Sequence, residues 1–449
     1  MTAHAPSTPP TSPPPTRRIL RGDVLDFTAD PGFVPPHESP GVRFRPDHLV
    51  CIEGGRIAAV LPAGAVPEAS WRSVPVEDHR GRLILPGFID THVHCPQLDV
   101  IASFGTELLD WLNTYTFPAE TRYADPAVSD MGARRFLQAL WSQGTTSAVV
   151  FATVHKTSAE ALFTHASAAQ MRLITGKVLM DRHAPDGLRD DVEQAERDCI
   201  DQIQRWHGRD RQAFAVTVRF APCSTPAQLA MAGALCAQHP GVYMQTHVAE
   251  NRDEVRWVAE LFPDARSYLD VYDRDGLIGA RGVLAHGIWL DDNDLAVLRE
   301  RGAQIAHSPS SNLFLGSGLF DWRRSESAGV HVSLASDVGG GTSLSMLRTM
   351  ADAYKIQALQ GQRLTAWKAL HTATAGAAAH LGLSDEIGRV EPGLMADLAV
   401  WDLAMGDVAC HRDSLASNLH ERVFAWMTLG DDRNLVTTLV AGQTRHRRA

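Results

Sequence analysis

The stretch Leu-Ile-Leu-Pro-Gly-Phe-Ile-Asp-Thr-His-Val-His, residues 83–94, decides the fold. Its apolar run predicts a strand from Leu83 to Val93, closed by the His-x-His pair His92 and His94. Side chains two apart on a strand point to the same face, so both imidazoles can reach one metal ion. An isolated pair of this kind is as often two polar residues at a strand end as a metal site, so the rest of the chain has to decide.

Seven further apolar stretches follow the first one, and helical stretches separate them. The eight predicted strands are Leu83–Val93, Thr146–Val154, Leu173–Met180, Ala215–Ala221, Val242–Val248, Gly282–Leu290, Ala303–His307 and His331–Ser336. The helical stretches include Pro126–Gln143, Ser158–Gln170, Asp190–Trp206, Pro226–Gln238, Asn251–Phe262, Asp291–Arg301, Ser343–Gln360 and Ala366–Leu381. Eight alternating units predict an α/β fold with a (β/α)₈ TIM-like barrel, although a doubly wound open sheet gives the same alternation.

Both ends of the chain are rich in strands and turns. Short strands are predicted at Ile19–Phe27, in a hairpin at His48–Leu61, within Ile387–Asp402 and within Leu435–Arg445. Neither end is long enough for a large core, so we expect them to pair into one small composite β-sandwich domain. The predicted division is a composite β domain of residues 17–85 and 387–449, a barrel of residues 86–386 and a disordered tail of residues 1–16, in which Pro, Ser and Thr dominate.

The composition excludes several classes of protein. Of 449 residues, 44% are apolar and 21% are charged, and the 42 basic against 52 acidic residues give a net charge of −10. This balance opposes nucleic acid binding. No apolar run is long enough for a membrane span or a signal peptide, which predicts a soluble, cytoplasmic protein without a membrane partner. The six cysteines form no CxxC pair, so any metal would be held by His and carboxylate.

Further metal-competent groups close later predicted strands. The fifth strand ends in Thr-His-Val-Ala-Glu with His247 and Glu250, the sixth in Ala-His-Gly with His286, and the eighth in Ala-Ser-Asp with Asp337. A single His at a strand end is most often a core or capping residue. Several such residues at the ends of barrel strands, where barrel active sites lie, favour a metal-dependent active site.

These residues resemble the amidohydrolase superfamily, in its mononuclear aminohydrolase branch. The resemblance is carried by Pro-Gly-Phe-Ile-Asp-Thr-His-Val-His at 86–94, by His247, Glu250, His286 and Asp337, and by the ending around residues 387–400. Within the branch, Pro96-Gln97, the stretch from Trp111 to Glu120, Arg219-Phe220 and the stretch from His247 to Glu254 are similar to the guanine deaminase family.

The resemblance implies one Zn²⁺ per chain. Its expected ligands are His92, His94, His247 and Asp337, with a bound water completing the site. Binuclear relatives carry a bridging lysine after the fourth strand, where this chain has Arg219, so a single ion is favoured. A zinc-bound water with a pKa of about 7 supplies hydroxide at neutral pH.

The implied reaction is hydrolytic deamination of guanine to xanthine and ammonia. The expected catalytic residues are Asp337 as proton acceptor, His286 as the group that orients the hydroxide, and Glu250 as general acid/base. The expected substrate contacts are Gln97, Arg219, Phe220, His247, His286 and Asp337. The family also implies a homodimer.

Two other interpretations stay open. The same scaffold could act on an adenosine derivative, 8-oxoguanine, a pterin or a triazine; Gln97 and Arg219 argue for a purine that carries a carbonyl. A non-catalytic binding protein with the same barrel would be free to lose ligands, and here every one is present. Among the remaining motifs, Gly339-Gly340-Gly341 is typical of a tight turn, and Asp90 is expected to orient a ligand or cap a turn. His155 and His307 could each line the pocket or have a structural role.

Overall fold

The computed structural model describes residues 17–65, 68–104 and 108–449. The tail predicted for residues 1–16 lies outside them. The strands, β1 to β16 in order, are Arg17–Phe27, Val42–Glu53, Arg56–Pro62, Val76–Pro86, Phe88–His94, Thr145–Phe151, Arg172–Gly176, Val178–Leu179, Gln212–Val218, Tyr243–Val248, Gly282–His286, Gln304–His307, His331–Leu334, Leu398–Trp401, Leu435–Val440 and Gln443–Arg447. The α-helices, α1 to α16, are Leu108–Trp111, Phe117–Thr121, Pro126–Trp141, Lys156–Ala168, Val192–Trp206, Pro226–Gln238, Arg252–Leu261, Tyr268–Asp273, Asp292–Arg301, Pro309–Phe314, Trp322–Ser327, Met346–Leu359, Ala366–Thr372, Ala375–His380, Asp407–Ser414 and Leu419–Leu429.

Eight parallel strands form a nearly closed barrel. Their order is β5, β6, β7, β9, β10, β11, β12 and β13, with the short β8 paired to β9. Beyond β13 the chain returns to β5, where the amide of His94 donates to Val338 O at 2.9 Å and that of Asp337 donates to His92 O at 2.9 Å. The predicted TIM-like barrel is confirmed, and the doubly wound open sheet is excluded.

The two chain ends build a second sheet. Its order is β16, β15, β14, β4, β1, β2 and β3, all antiparallel neighbours except the parallel pair β1 and β4. One face buries a cluster of aliphatic side chains that includes Leu20, Val50, Ile84, Leu398 and Leu439. The composite β domain expected from both ends is therefore confirmed, while the predicted boundaries at residues 85/86 and 386/387 stay a prediction.

The first predicted strand, Leu83–Val93, spans two sheets. Residues up to Pro86 belong to β4 in the composite sheet, and β5 begins the barrel at Phe88. Between them, a Cβ on Gly87 would lie 2.2 Å from the side chain of Thr146, so only glycine fits this close approach. The apolar pattern is continuous across the junction and does not reveal the change of sheet.

Two other sequence predictions need correction. The predicted helix Ala366–Leu381 is broken into α13 and α14. At the break, the Ala373 carbonyl accepts a 2.9 Å hydrogen bond from the Ile89 amide of β5 and not from a helical amide. Within Ile387–Asp402 only Leu398–Trp401 is a strand, since the φ angles of +94° at Gly388 and +92° at Gly393 turn the chain. Over the described ranges, no helix has the length and apolar character needed to cross a membrane.

Candidate active site

The sequence-predicted site residues meet at one end of the barrel. His92 and His94 lie at the end of β5, and His286 is the last residue of β11. His247 is the penultimate residue of β10. Asp337 follows β13 by three residues. Because the strands are parallel, their carboxyl ends share one rim, and barrel active sites are built there.

Four ligand atoms converge on one point. His94 Nε2 lies 3.2 Å from His92 Nε2 and 3.1 Å from His247 Nε2. Asp337 Oδ1 lies 3.1 Å from His92 Nε2 and 3.2 Å from His94 Nε2. Ligand atoms about 2.0–2.1 Å from one ion stand about 2.9–3.5 Å apart, so the spacing matches a single ion shared by the four side chains.

The protonation of these groups suits a cation. His247 Nδ1 donates to the Arg219 carbonyl at 2.6 Å, which leaves the lone pair of Nε2 directed at the common point. Burial holds the pKa of His247 well below its ordinary value and lowers the pKa of His94 to about 3. Burial opposes ionisation of Asp337, but His92 and His94 outweigh it and hold its pKa well below the usual range. Three imidazoles and one carboxylate are a donor set for a divalent metal.

Arg219 lies at the carboxyl end of the fourth barrel strand, where the resemblance predicts the bridging lysine of binuclear relatives. It follows β9 directly, and its guanidinium donates from Nη1 to Glu120 Oε2 at 2.6 Å. A guanidinium stays charged in proteins and has no lone pair to offer a second ion. The described residues of the site therefore fit one metal.

A cavity opens beside the ligand atoms. It is lined by His94, Gln97, Trp111, Leu112, Arg219, Phe220, His247, Glu250, Glu254, Leu315, Asp337 and Gly340. The structure thus brings together in one cavity almost every residue that the sequence predicted for substrate or metal.

Two of the predicted substrate contacts are joined by a residue that the sequence prediction missed. Glu120 accepts from Gln97 Nε2 at 3.2 Å through Oε1 and from Arg219 Nη1 through Oε2. Gln97 Oε1 in turn accepts from the Gly339 amide at 3.1 Å. A Cβ on Gly339 would lie 2.6 Å from the Gln97 carbonyl. The absence of a side chain at Gly339 therefore allows the turn after β13 to contact Gln97 closely.

Aromatic side chains form part of the cavity wall. The Phe220 ring packs edge-on against Trp257 with centroids 6.1 Å apart, and Arg219 lies over the Phe117 ring at 5.2 Å. Trp111 and Leu112 come from α1 and from the π-helical turn Leu112–Thr116 that follows it. The pocket therefore offers flat apolar surfaces close to its polar groups, as a planar heterocycle requires.

Glu250 stands apart from the ligand cluster. Its Oε2 lies 3.4 Å from His286 Nε2, and its Oε1 accepts from Ser317 Oγ at 2.9 Å. Burial and the nearby Asp337 carboxylate raise its pKa above the ordinary value of a glutamate. Its main-chain amide donates to Glu254 Oε2 at 2.9 Å in the capping box of α7. A buried carboxyl with a raised pKa is suited to donate a proton.

His286 is held in one orientation by Asn312. Its Nδ1 donates to Asn312 Oδ1 at 2.9 Å, while Nε2 lies 3.6 Å from Asp337 Oδ2 and has no hydrogen-bond partner within the described part of the chain. His286 and Asp337 both have positive φ angles, +71° and +48°. Such conformations are uncommon outside glycine and are found where a structure holds functional side chains in place.

The remaining candidates, Asp90, His307 and His155, do not line the cavity. Asp90 accepts from the amide and hydroxyl of Ser336 and so links β5 to the segment that carries Asp337. His307 is buried with its ring 4.7 Å from that of Phe320, and His155 precedes α4. Neither histidine is among the residues that line the cavity.

The sequence prediction gave no role to Glu120, Glu254, Asn312 or Ser317. A charged residue in the otherwise uncharged stretch Tyr-Thr-Phe-Pro-Ala-Glu, residues 115–120, was a usable signal for Glu120. Glu254 matched a capping pattern that many surface helices share. Nothing in the local sequence marks Asn312 or Ser317, since both act across loops that only the fold brings together.

Comparison with known proteins agrees with this geometry. A model of the amidohydrolase family matches residues 83–445. The chain belongs to the amidohydrolase family, and it is a hydrolase.

The particular relatives are guanine deaminases. The chain is 41% identical over 433 residues to the guanine deaminase of Escherichia coli K12, covering 96% of this chain and 98% of the relative. The solved structure of E. coli guanine deaminase superposes with a TM-score of 0.92 at 40% identity, covering 96% of this chain and 100% of that one. Guanine deaminase from C. acetobutylicum with bound guanine gives 0.85 at 27% identity, covering 96% and 100%. An atrazine chlorohydrolase from Arthrobacter aurescens gives 0.78 at 22% identity over 95% and 94%, a likeness of fold alone.

Proposed function

We propose that this chain hydrolyses guanine to xanthine and ammonia, with one zinc ion held by His92, His94, His247 and Asp337. The observation that carries the proposal is the cavity in which this ligand cluster faces Gln97, Arg219 and Glu250. The similarity to guanine deaminases over nearly the whole chain supports guanine as the substrate.

In this reaction a C–O bond forms at the guanine carbon that bears the amino group, and its C–N bond breaks. When bound, zinc lowers the pKa of a water molecule to about 7 and so supplies the nucleophile. Asp337 Oδ1 lies against His92 and His94, and Oδ2, the other carboxylate oxygen, is placed to accept the proton that the water loses. His286 Nε2, 3.6 Å from that oxygen, can accept a hydrogen bond from the same water and orient it.

Glu250 supplies the second proton transfer. Its raised pKa keeps a proton on the carboxyl at pH values where an ordinary glutamate is ionised. This proton passes to the ring nitrogen beside the attacked carbon. The resulting carboxylate can then take the proton of the newly added hydroxyl group and deliver it to the amino group, which leaves as ammonia as the carbonyl forms. The proton held by Asp337 then returns Glu250 to its protonated form. General acid/base catalysis of this kind contributes about 10² to 10⁴ in rate.

Recognition of guanine rests on Arg219 and Gln97. The guanidinium has five N–H donors, and one of them donates to Glu120, so others can reach the guanine carbonyl. Gln97 is held by Glu120 and Gly339 in a fixed orientation, from which it can pair with a ring nitrogen. Glu120 balances the charge of Arg219, which suits a neutral base.

The proposal is tested by ammonia release from a panel of heterocycles. Purified, zinc-loaded chain is mixed with guanine, adenine, adenosine, 8-oxoguanine, a pterin and a triazine, and kcat/KM is measured for each. Guanine should give the highest value. A higher kcat/KM for any other member would replace guanine as the substrate, and no turnover of any member would favour the binding-protein interpretation.

The family resemblance extends the proposal to the assembly and the setting of the protein. We propose a homodimer acting in purine catabolism in the cytoplasm. Light scattering on the eluting peak of a size-exclusion column should give twice the mass of one chain. A single-chain mass at micromolar concentration would contradict the dimer.

A further inference from the structure

We propose that Ser317 is a positioning residue for Glu250, and that its hydroxyl determines which carboxyl oxygen carries the transferable proton. The inference rests on the proposed function, since it concerns the general acid of that reaction. It adds a residue that lies outside the metal ligands and outside the substrate contacts.

Ser317 is fixed by its backbone and not by its side chain. Its amide donates to the Asn312 carbonyl at 2.9 Å, and its carbonyl accepts from Trp289 Nε1 at 3.1 Å. The flanking Gly316 and Gly318 have φ angles of +66° and +140°, which turn the chain sharply at this point. The residue is 3% exposed, so the hydroxyl is presented to the interior by a built loop.

Within the described residues, the hydroxyl has one partner, the Glu250 carboxyl. Ser317 Oγ donates to Oε1 at 2.9 Å, whereas Oε2 lies 3.4 Å from His286 Nε2 on the side of the metal ligands. An oxygen that accepts a hydrogen bond is the carbonyl-like oxygen of a protonated carboxyl. The acidic proton is therefore directed to Oε2, the oxygen that faces the reaction.

The main chain and the carboxyl group of Glu250 are thus held by different residues. Glu254 holds its main chain through the amide, and Ser317 holds the carboxyl. Without the hydroxyl, Oε1 would be buried without a donor, and the carboxyl would be free to rotate and carry its proton on either oxygen. Substrate binding and metal binding do not use this hydrogen bond, so the loss is expected in kcat.

The experiment compares Ser317→Ala with Ser325→Ala in the zinc-loaded full chain. Ser325 is also a buried serine, and within the described residues its hydroxyl donates to the carbonyl of Asp321 and makes no hydrogen bond to Glu250. Ser317→Ala should lower kcat for guanine about tenfold, the upper end of what a hydrogen bond between neutral groups contributes, with KM within about twofold. Ser317→Gly should show the same loss, and Ser317→Thr, which keeps the hydroxyl, should retain at least half of the kcat.

Three results separate the possible failures. Equal kcat in Ser317→Ala, Ser317→Gly and Ser325→Ala would overturn the positioning role. Loss of zinc or a rise in KM that accounts for the whole effect would also overturn it, since the residue would then support the fold or the ligand site. Absence of guanine turnover in the unmodified chain would instead refute the proposed function on which the inference depends.

Discussion

Glu120 and Arg219 form a buried ion pair with Nη1 and Oε2 2.6 Å apart, although 99 positions separate them in the sequence. The two side chains are 1% and 4% exposed. Glu120 comes from α2, in the connection between β5 and β6, and Arg219 follows β9. The pair joins distant parts of the barrel rim directly beside the metal ligands, and it also fixes Gln97.

The substitution Glu120→Gln removes the charge that balances Arg219. We expect kcat/KM for guanine to fall about 10- to 100-fold and the free energy of unfolding to fall by about 3 kcal/mol, because one partner of a buried pair is neutralised. Steady-state kinetics and urea unfolding measure the two effects. Glu77→Gln is the matched control, since Glu77 pairs with Arg18 in the composite sheet; an equal kinetic loss there would contradict the prediction.

Removal of a metal ligand should remove the ion. His92→Ala and Asp337→Ala are each expected to lower bound zinc severely, with activity falling in parallel, since the site loses one of its four protein donors. Elemental analysis of the purified variants measures the metal. Full stoichiometric zinc with intact turnover in both variants would refute the ligand assignment, and two ions per unmodified chain would refute the single-ion site.

The general acid should be separable from the metal site. Glu250→Gln keeps the size and hydrogen bonding of the side chain but cannot donate the required proton, so kcat should fall by about 10² to 10⁴. KM and zinc content should change little, which marks a loss confined to the transition state. Metal loss in this variant would make Glu250 a ligand and would reverse the roles proposed above.

Substrate choice should depend on Arg219 and Gln97. Adenine places an amino donor where Arg219 requires an acceptor, so guanine should be preferred by about 10⁴ or more in kcat/KM. Arg219→Ala and Gln97→Ala should each lower guanine turnover while zinc is retained. Comparable kcat/KM for guanine and adenine in the unmodified chain, or indifference to both substitutions, would point to another heterocycle.

Residues at strand ends were predictable from sequence because strand periodicity fixes their direction. His92 and His94 share a face by their spacing, and parallel strands bring His247, His286 and Asp337 to the same rim. The barrel, the composite β domain and the convergence of these side chains follow from such patterns.

Contacts between loops were not predictable in this way. Ser317 reaches Glu250 only because the turn after α10 folds over the end of β10, and no local periodicity records that path. The break between α13 and α14 arises from a bond to β5, which lies almost 300 positions earlier in the chain. Both features depend on tertiary hydrogen bonds that replace or redirect local ones.

The junction at Gly87 has a consequence for the folding of the chain during its synthesis on the ribosome. The Gly87 amide donates to the Asp397 carbonyl at 2.9 Å, and β4 pairs with β14, so the start of the strand that carries His92 and His94 is clamped by residues made near the end of synthesis. A nascent chain that stops before residue 397 lacks this clamp. The chain is therefore expected to bind its metal only when translation is nearly complete. Incomplete chains would then not sequester zinc.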